Sequence, residues 1–195
     1  IMKCSIKENR IVTDVTFDDF DYARITAIQP LAGGKFLAGT EGNGLFVLDG
    51  ASPESNSYRI EGHPELDLIS ARDIYTDSDG AVWVATRNDG LFKIVFNERQ
   101  DAVAGLKHFT VASGLAGENI NTVFRDLENN TWIGHNGQGL SALPTEAFTF
   151  FTPGGQGRDN IIGISAYRDS YLLGTPSGYY LFDPSAGEAG PLNAL

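Results

Sequence analysis

Short apolar segments, separated by polar turns that contain glycine, recur along the whole chain. A typical apolar segment is Val82–Ala85, and a typical turn is Asp77–Gly80 just before it. Short apolar runs bounded by Asp, Asn and Gly are characteristic of β-strands joined by tight hairpins. No segment carries the apolar period of about 3.6 residues that a helix requires. The pattern therefore predicts an all-β protein.

The pattern occurs in four copies, each marked by a large apolar residue in the second strand and by a glycine that opens the third. The large residues are Leu37, Trp83, Trp132 and Leu172, and the glycines are Gly44, Gly90, Gly139 and Gly178. The copies cover about residues 24–60, 69–111, 119–152 and 160–183. Four antiparallel strands every 40 to 50 residues or so are typical of a β-propeller blade. Residues 1–195 are therefore predicted to be a β-propeller fragment of about four four-stranded blades.

Both faces of a blade are buried against its neighbours, so its inner strands should read as near-continuous Val, Ile, Leu and Trp. We therefore expect Trp83 and Trp132 to lie in the core between blades rather than to stack on a ligand. The small residue two positions later, Ala85 or Gly134, is expected to let adjacent sheets approach. The first strand of the second copy, within residues 69–74, alternates only imperfectly.

A more specific string occurs in the second and third copies. It reads Asp77-x-x-Gly80-x-x-Trp83-Val84 and then Gly90-Leu91 in the second, and Trp132-Ile133-Gly134 and then Gly139-Leu140 in the third. This string resembles the two-component regulator propeller repeat, which occurs in periplasmic sensor regions of bacterial hybrid histidine kinases. The resemblance implies a seven-bladed propeller in the periplasm, as the extracytoplasmic part of an inner-membrane signalling protein. The first and fourth copies lack the tryptophan, and the third has His135 where the family usually has threonine.

Four copies and about 23 leading residues do not close a seven-bladed ring. Three arrangements stay open: a partial propeller completed by further blades of the same chain, a small closed ring of four or five blades, and two copies that pair into an eight-bladed ring. An open propeller would expose two apolar blade faces. The expected partners are therefore the remaining blades of the same chain or a second copy in a dimer.

The formal net charge is −11, which disfavours nucleic acid as a partner because the phosphate backbone is also negative. The longest apolar runs have about five residues, far fewer than the roughly 20 that a membrane helix needs. We therefore expect no direct membrane contact in this segment. The single cysteine, Cys4, cannot form an internal disulfide.

Recognisable catalytic and metal motifs are missing from the sequence. It contains no G-x-S-x-G or G-x-x-x-x-G-K motif, and His63, His108 and His135 lack metal-ligand spacing. The turn Asp77–Gly80 resembles the start of a calcium loop but lacks the other ligands, so it predicts a hairpin turn. No catalytic residue, metal site or cofactor is therefore predicted.

Two sets of loops are expected to share one face of the propeller: the loops after the second strands and the segments that lead into the first strands. Rigid strands would make the side chains of these loops converge. The candidate ligand-binding residues are Arg87, Asn88, His135, Asn136 and Gln138. Their planar polar groups suit sugar hydroxyls, although each could instead simply cap a turn.

The predicted function is that of a non-catalytic, extracytoplasmic ligand-sensing propeller that recognises an oligosaccharide or another small polar ligand. Two other functions stay open. One is a propeller glycoside hydrolase or polysaccharide lyase, whose paired acids the sequence does not mark. The other is a protein-interaction scaffold. An enzyme would turn over the oligosaccharide, a sensor would bind it unchanged, and a scaffold would bind a protein instead.

Overall fold

The computed structural model describes residues 1–8, 10–17, 23–50, 57–143, 149–151 and 160–192. Within these ranges the chain forms four four-stranded antiparallel sheets, one two-stranded hairpin and three short 3-10 turns. The turns are Ala32–Gly34, Pro64–Leu66 and Val111–Ser113. The prediction of an all-β chain with about four four-stranded sheets is confirmed.

The strands follow one another in chain order within each sheet, and each four-stranded sheet is called a blade below. The hairpin consists of β1 (Met2–Lys7) and β2 (Arg10–Thr16). Blade 1 consists of β3 (Ile25–Pro30), β4 (Lys35–Thr40), β5 (Leu45–Asp49) and β6 (Ser57–Arg59). Blade 2 consists of β7 (Ala71–Thr76), β8 (Val82–Thr86), β9 (Leu91–Phe96) and β10 (Val103–Phe109). Blade 3 consists of β11 (Ile120–Arg125), β12 (Thr131–His135), β13 (Leu140–Leu143) and β14 (Thr149–Phe151). Blade 4 consists of β15 (Gly163–Tyr167), β16 (Ser170–Thr175), β17 (Gly178–Asp183) and β18 (Glu188–Pro191).

Consecutive blades contact each other through their first strands. The strand β3 lies beside β7, β7 beside β11, and β11 beside β15. The blades are therefore arranged one after another with their first strands together, as in a sector of a β-propeller.

The core lies between adjacent blades. Val82 and Val84 of β8 pack in the cluster shared with blade 1, whereas Trp83 packs in the cluster shared with blade 3. This division follows from the alternation of side chains along a strand. Trp83 and Trp132 are each only 3% exposed, so the prediction that they are core residues is confirmed.

A glycine in the second strand lets the next blade approach, as the sequence predicts. A Cβ atom on Gly134 would lie 2.7 Å from Ile161 Cγ2 and 2.7 Å from Thr122 Cγ2. At the same position of blade 4, a Cβ on Gly174 would come no closer than 3.8 Å to the described atoms around it. The face of blade 4 that carries Gly174 is correspondingly open, and Tyr179 on the adjacent strand is 64% exposed.

The leading residues form a hairpin to which the sequence analysis assigned no element. Phe17 N–H donates to Ile1 O at 2.8 Å, just as Ile60 N–H donates to Leu45 O at 3.3 Å between the third and fourth strands of blade 1. Phe17 is buried against the core residue Leu48. The hairpin is thus closed in the same way as the outer two strands of blade 1, and it packs against that blade.

A buried aspartate in the first turn of blade 2 ties that blade to blade 3. Asp77 Oδ1 accepts from Ala81 N–H at 2.9 Å, which closes the predicted hairpin turn. Asp77 Oδ2 accepts from Trp83 Nε1 at 2.9 Å and from the Arg125 guanidinium of blade 3. Burial alone would raise the pKa of Asp77, but the hydrogen bonds from Trp83 and Ala81 and the charge of Arg125 outweigh it and lower the pKa.

The same link recurs between blades 3 and 4. Asp126 Oδ2 accepts from Trp132 Nε1 at 2.8 Å, from the Tyr171 hydroxyl of blade 4 at 2.5 Å, and from Asn130 Nδ2 at 2.9 Å. Burial favours the protonated form of Asp126, but these hydrogen bonds prevail and lower its pKa. Burial and the contact with Asp126 raise the pKa of Tyr171. The aspartate of the repeat therefore joins blades as well as forming a turn.

Candidate functional site

The loops after the second strands meet the segments that lead into the first strands at one edge of the blades. Backbone hydrogen bonds of 2.9 Å join them, with Glu41 N–H donating to Arg24 O, Arg87 N–H to Ser70 O, and Asn136 N–H to Asn119 O. The surface formed by residues 24, 41–43, 70, 87–89, 119 and 136–138 is called the loop face below. The segment Gly154–Asp159, which the sequence also assigns to this face, lies outside the described residues.

A buried threonine fixes the shape of these loops. Thr86 Oγ1 donates to Gly90 O at 2.7 Å and accepts from Asp89 N–H at 3.0 Å, and Thr40 closes the loop of blade 1 in the same way. Gly90 has a φ of +69°, and a Cβ there would lie 2.2 Å from Phe109 O. The glycine is therefore needed both for its backbone angle and for space. The exposed residues of the loop are displayed on a rigid frame.

Arg87 and Asn88 are exposed on this frame, between blades 1 and 2. Arg87 Nη1 lies 3.4 Å from Glu41 Oε1, and Arg24 Nη1 lies 3.1 Å from Glu41 Oε2. Glu41 is thus shared by two guanidinium groups that come from different blades. The side chains of Arg24 and Arg87 remain 78% and 52% exposed, so both can still reach a ligand.

His135 does not lie in a loop, contrary to the sequence analysis. It is the last residue of β12, where it pairs with Ile120, and its side chain is 0% exposed. It replaces the buried threonine of the other blades and contacts Ser141 Oγ through Nε2 at 2.6 Å. Burial lowers the pKa of His135 to about 4, so the ring is neutral at pH 7. The strand ends one residue later than predicted, at the position where β8 ends with Thr86, so the His135 side chain points inward as that threonine does.

The other two candidates of blade 3 stay at the loop face. Asn136 is half-buried and Gln138 is exposed. Gln138 packs over the segment that leads into β11, because a Cβ on Gly117 would lie 2.9 Å from Gln138 Cδ. The structure therefore brings Asn136 and Gln138 to the same face as Arg87 and Asn88, on the adjacent blade.

Arg72, which the sequence analysis did not single out, joins this group through a β-bulge. The pairing of β7 with β8 passes from Ala71 to Asp73 and skips Arg72. The pairing of β3 and of β11 skips Thr26 and Asn121 in the same way. A bulge redirects the side chain of the extra residue. The sequence signal for it was the imperfect alternation of residues 69–74.

The surroundings of Arg72 are polar and charged. Its Nη1 donates to Asn121 Oδ1 of blade 3. Partial burial lowers the pKa of Arg72, the nearby Arg87 lowers it further, and Glu41 acts in the opposite direction. Arg72 therefore lies within electrostatic reach of Arg87 and Glu41.

Among the described residues, no three His, Cys, Asp or Glu side chains are grouped so that they could hold a metal ion. In the same part of the chain, no helix is long and apolar enough to cross a membrane.

Residues 66–88 match the family model described as "Two component regulator propeller". They include the first two strands of blade 2 and the landmark Trp83. The resemblance seen in the sequence is therefore confirmed for this repeat. A search of curated protein sequences found no match.

Solved β-propellers superpose on most of the chain. The extracellular domain of BT4673 from B. thetaiotaomicron, described as a one component system, is 19% identical at a TM-score of 0.72 and covers 95% of this chain and 24% of its own. The extracellular domain of BT3049 from the same organism, described as a hybrid two component system, is 15% identical at a TM-score of 0.67. The match covers 88% of this chain and 25% of the BT3049 chain. Virginiamycin B lyase from Staphylococcus aureus is 12% identical at a TM-score of 0.70. The match covers 98% of this chain and 62% of the lyase chain.

These similarities establish the propeller fold of the chain. The chain spans about a quarter of the length of the two B. thetaiotaomicron domains. It therefore corresponds in extent to a sector of those domains.

Proposed function

We propose that this chain is part of the extracytoplasmic ligand-sensing propeller of a bacterial two-component signalling protein. The loop face would bind an oligosaccharide or another small polar ligand without converting it. The observation that carries this proposal is that planar polar side chains of adjacent blades lie at the same edge, on hydrogen-bonded loops. Arg87 and Asn88 come from blade 2, and Asn136 and Gln138 from blade 3.

The comparisons support the location and the signalling role. The repeat at residues 66–88 matches a family named for two-component regulation, and two similar structures are extracellular domains. Binding at the loop face would alter the contacts between blades, and the change would pass to a cytoplasmic kinase.

We further propose that other blades of the same protein complete the ring. The open face of blade 4 supports this, because Gly174 there occupies the position that receives the next blade in blade 3. The hairpin at the other end has the position of the outer half of a blade. A second copy of the chain is the alternative occupant, and it would give a dimer in solution.

The test is to bind the complete extracytoplasmic region to an oligosaccharide library and to analyse the recovered sugars by chromatography. We expect binding with the sugars unchanged, and Arg87→Ala should weaken the affinity about tenfold or more, since hydrogen bonds from a charged donor contribute about 1.5–3 kcal/mol. Arg99→Ala is the matched control, because Arg99 is exposed in the loop after β9 at the opposite edge of blade 2.

Shortened sugars would assign the protein to a propeller hydrolase or lyase instead. Binding that is equally strong in Arg87→Ala would remove Arg87 from the site.

A further inference from the structure

We propose that the ligand of the loop face is an anionic saccharide, whose carboxylate or sulfate group is bound by Arg72 together with Arg24 and Arg87. This inference names the ligand class for the proposed function and rests on it.

The charges of the site favour an anion slightly. Two guanidinium groups, those of Arg24 and Arg87, share the carboxylate of Glu41, and Arg72 lies within electrostatic reach of Arg87 and Glu41. With the exposed Asp89 counted, the loop face and Arg72 together carry three guanidinium groups and two carboxylates, in a chain whose formal net charge is −11. A cationic site on an otherwise acidic protein directs anions to this face.

The Arg72 side chain has a neutral hydrogen-bond partner. Its side chain donates to a neutral amide, that of Asn121, and no carboxylate of the described residues lies within 4.0 Å of it. The adjacent Asp73 is committed elsewhere, because its Oδ2 accepts from Thr122 Oγ1 at 2.7 Å and from Val123 N–H at 3.0 Å. Arg72 is thus a partly buried cation that lacks an anionic partner among these residues.

The side chains of this group come from adjacent blades. The bulge in β7 is repeated in β3 and β11, so the residues it redirects come from three adjacent blades. Arg72 and Asn121 meet across the boundary between blades 2 and 3, and Arg87 and Arg24 continue the group toward blade 1. Guanidinium groups bind carboxylates and sulfates through paired hydrogen bonds to a charged acceptor, which are stronger than hydrogen bonds to the hydroxyls of a neutral sugar.

The lowered pKa of Arg72 agrees with this assignment. Burial and the neighbouring Arg87 both disfavour its charged form, and the negative charge of a bound anion would offset these effects.

The test uses the complete extracytoplasmic region on a glycan array that contains uronate-bearing, sulfated and neutral saccharides. Uronates among the bound set identify a carboxylate, and sulfated sugars identify a sulfate; either result supports the inference. Binding confined to neutral sugars overturns the inference but keeps the proposed function. Binding to none of the saccharides contradicts both.

Variants then test the residue assignment with the anionic saccharide that binds most tightly. Arg72→Gln keeps a hydrogen-bond donor for Asn121 and should weaken this ligand about 10- to 100-fold, the range expected for a lost charged hydrogen bond. Arg24→Gln changes a highly exposed side chain, so it should weaken binding of the ligand without affecting folding. It replaces Arg72→Gln as the test variant if Arg72→Gln is unstable. Arg99→Gln, at the opposite edge, is the control and should bind as the parent does. If both Arg72→Gln and Arg24→Gln bound the saccharide as tightly as the parent protein does, the assignment would be overturned.

Discussion

At Asp126 a single carboxylate holds the first turn of blade 3, its tryptophan and a tyrosine of blade 4 together. Its Oδ2 accepts three hydrogen bonds, from Asn130, Trp132 and Tyr171. The carboxylate therefore joins blade 3 to blade 4 through buried hydrogen bonds.

Replacing this carboxylate by an amide should be costly. In Asp126→Asn one oxygen becomes an NH2 group, which cannot accept, so at least one buried donor loses its partner. We expect the free energy of unfolding to fall by about 2–3 kcal/mol, as measured by urea denaturation. Glu128→Gln makes the same charge change at an exposed position of the same turn and should have little effect. Equal stability of the two variants would contradict the bridging role.

His135 should make the stability depend on pH. Its pKa is about 4 in the folded chain and about 6.5 when unfolded, so the unfolded state binds the proton more tightly. The contribution of the neutral ring to the free energy of unfolding is therefore fully present above pH 6.5, and it is lost as the pH falls from there toward 4. At pH 5 the loss is about 2 kcal/mol relative to pH 7.

The variant His135→Thr restores the residue of the other blades and removes this titration. Denaturation midpoints measured at pH 7 and pH 5 should differ less in the variant than in the parent. An unchanged difference would show that His135 is not the group responsible.

Among the elements, the second strands show how closely the blades pack. Gly134→Ala should destabilise the chain by about 1–3 kcal/mol, because the added Cβ would overlap Ile161 and Thr122. Gly174→Ala at the same position of blade 4 should be nearly neutral, because the added Cβ would come no closer than 3.8 Å to the described atoms, an ordinary van der Waals contact. Thermal denaturation of the two variants of this segment provides the comparison. Equal decreases of the midpoint temperature in both variants would contradict the described packing.

Most strands of the four blades could be predicted because they are bounded by turn residues and follow the repeated landmarks Trp, Leu and Gly. The hairpin β1–β2 escaped prediction because its turn carries no such landmark: Glu8, rather than a glycine, adopts a positive φ of 51°. The fourth strand of blade 4, β18, was missed because Glu188–Pro191 contains no apolar run.

The candidate site could be predicted only in part. The loop positions of Arg87 and Asn88 follow from the repeat. The inward position of His135 follows from its place at the end of β12, where other blades have a buried threonine, and a polar residue there does not reveal its direction. The position of Arg72 depends on a one-residue bulge, which redirects a side chain without changing the apolar pattern.

At the scale of the molecule, the described residues form four blades and one hairpin, arranged as a sector with an open face at blade 4. A sector exposes apolar surface that a closed ring would bury. Under the proposal that further blades complete the ring, this sector would provide one part of a ligand-binding face.

The most direct test of this account is to determine the reading frame on both sides of the segment. The account predicts further propeller repeats, then an apolar stretch of about 20 residues that could span a membrane, and then a kinase segment. A stop codon directly after Leu195, together with a secretion signal before Ile1, would contradict it. The protein would then have to act alone, as a small enzyme or scaffold.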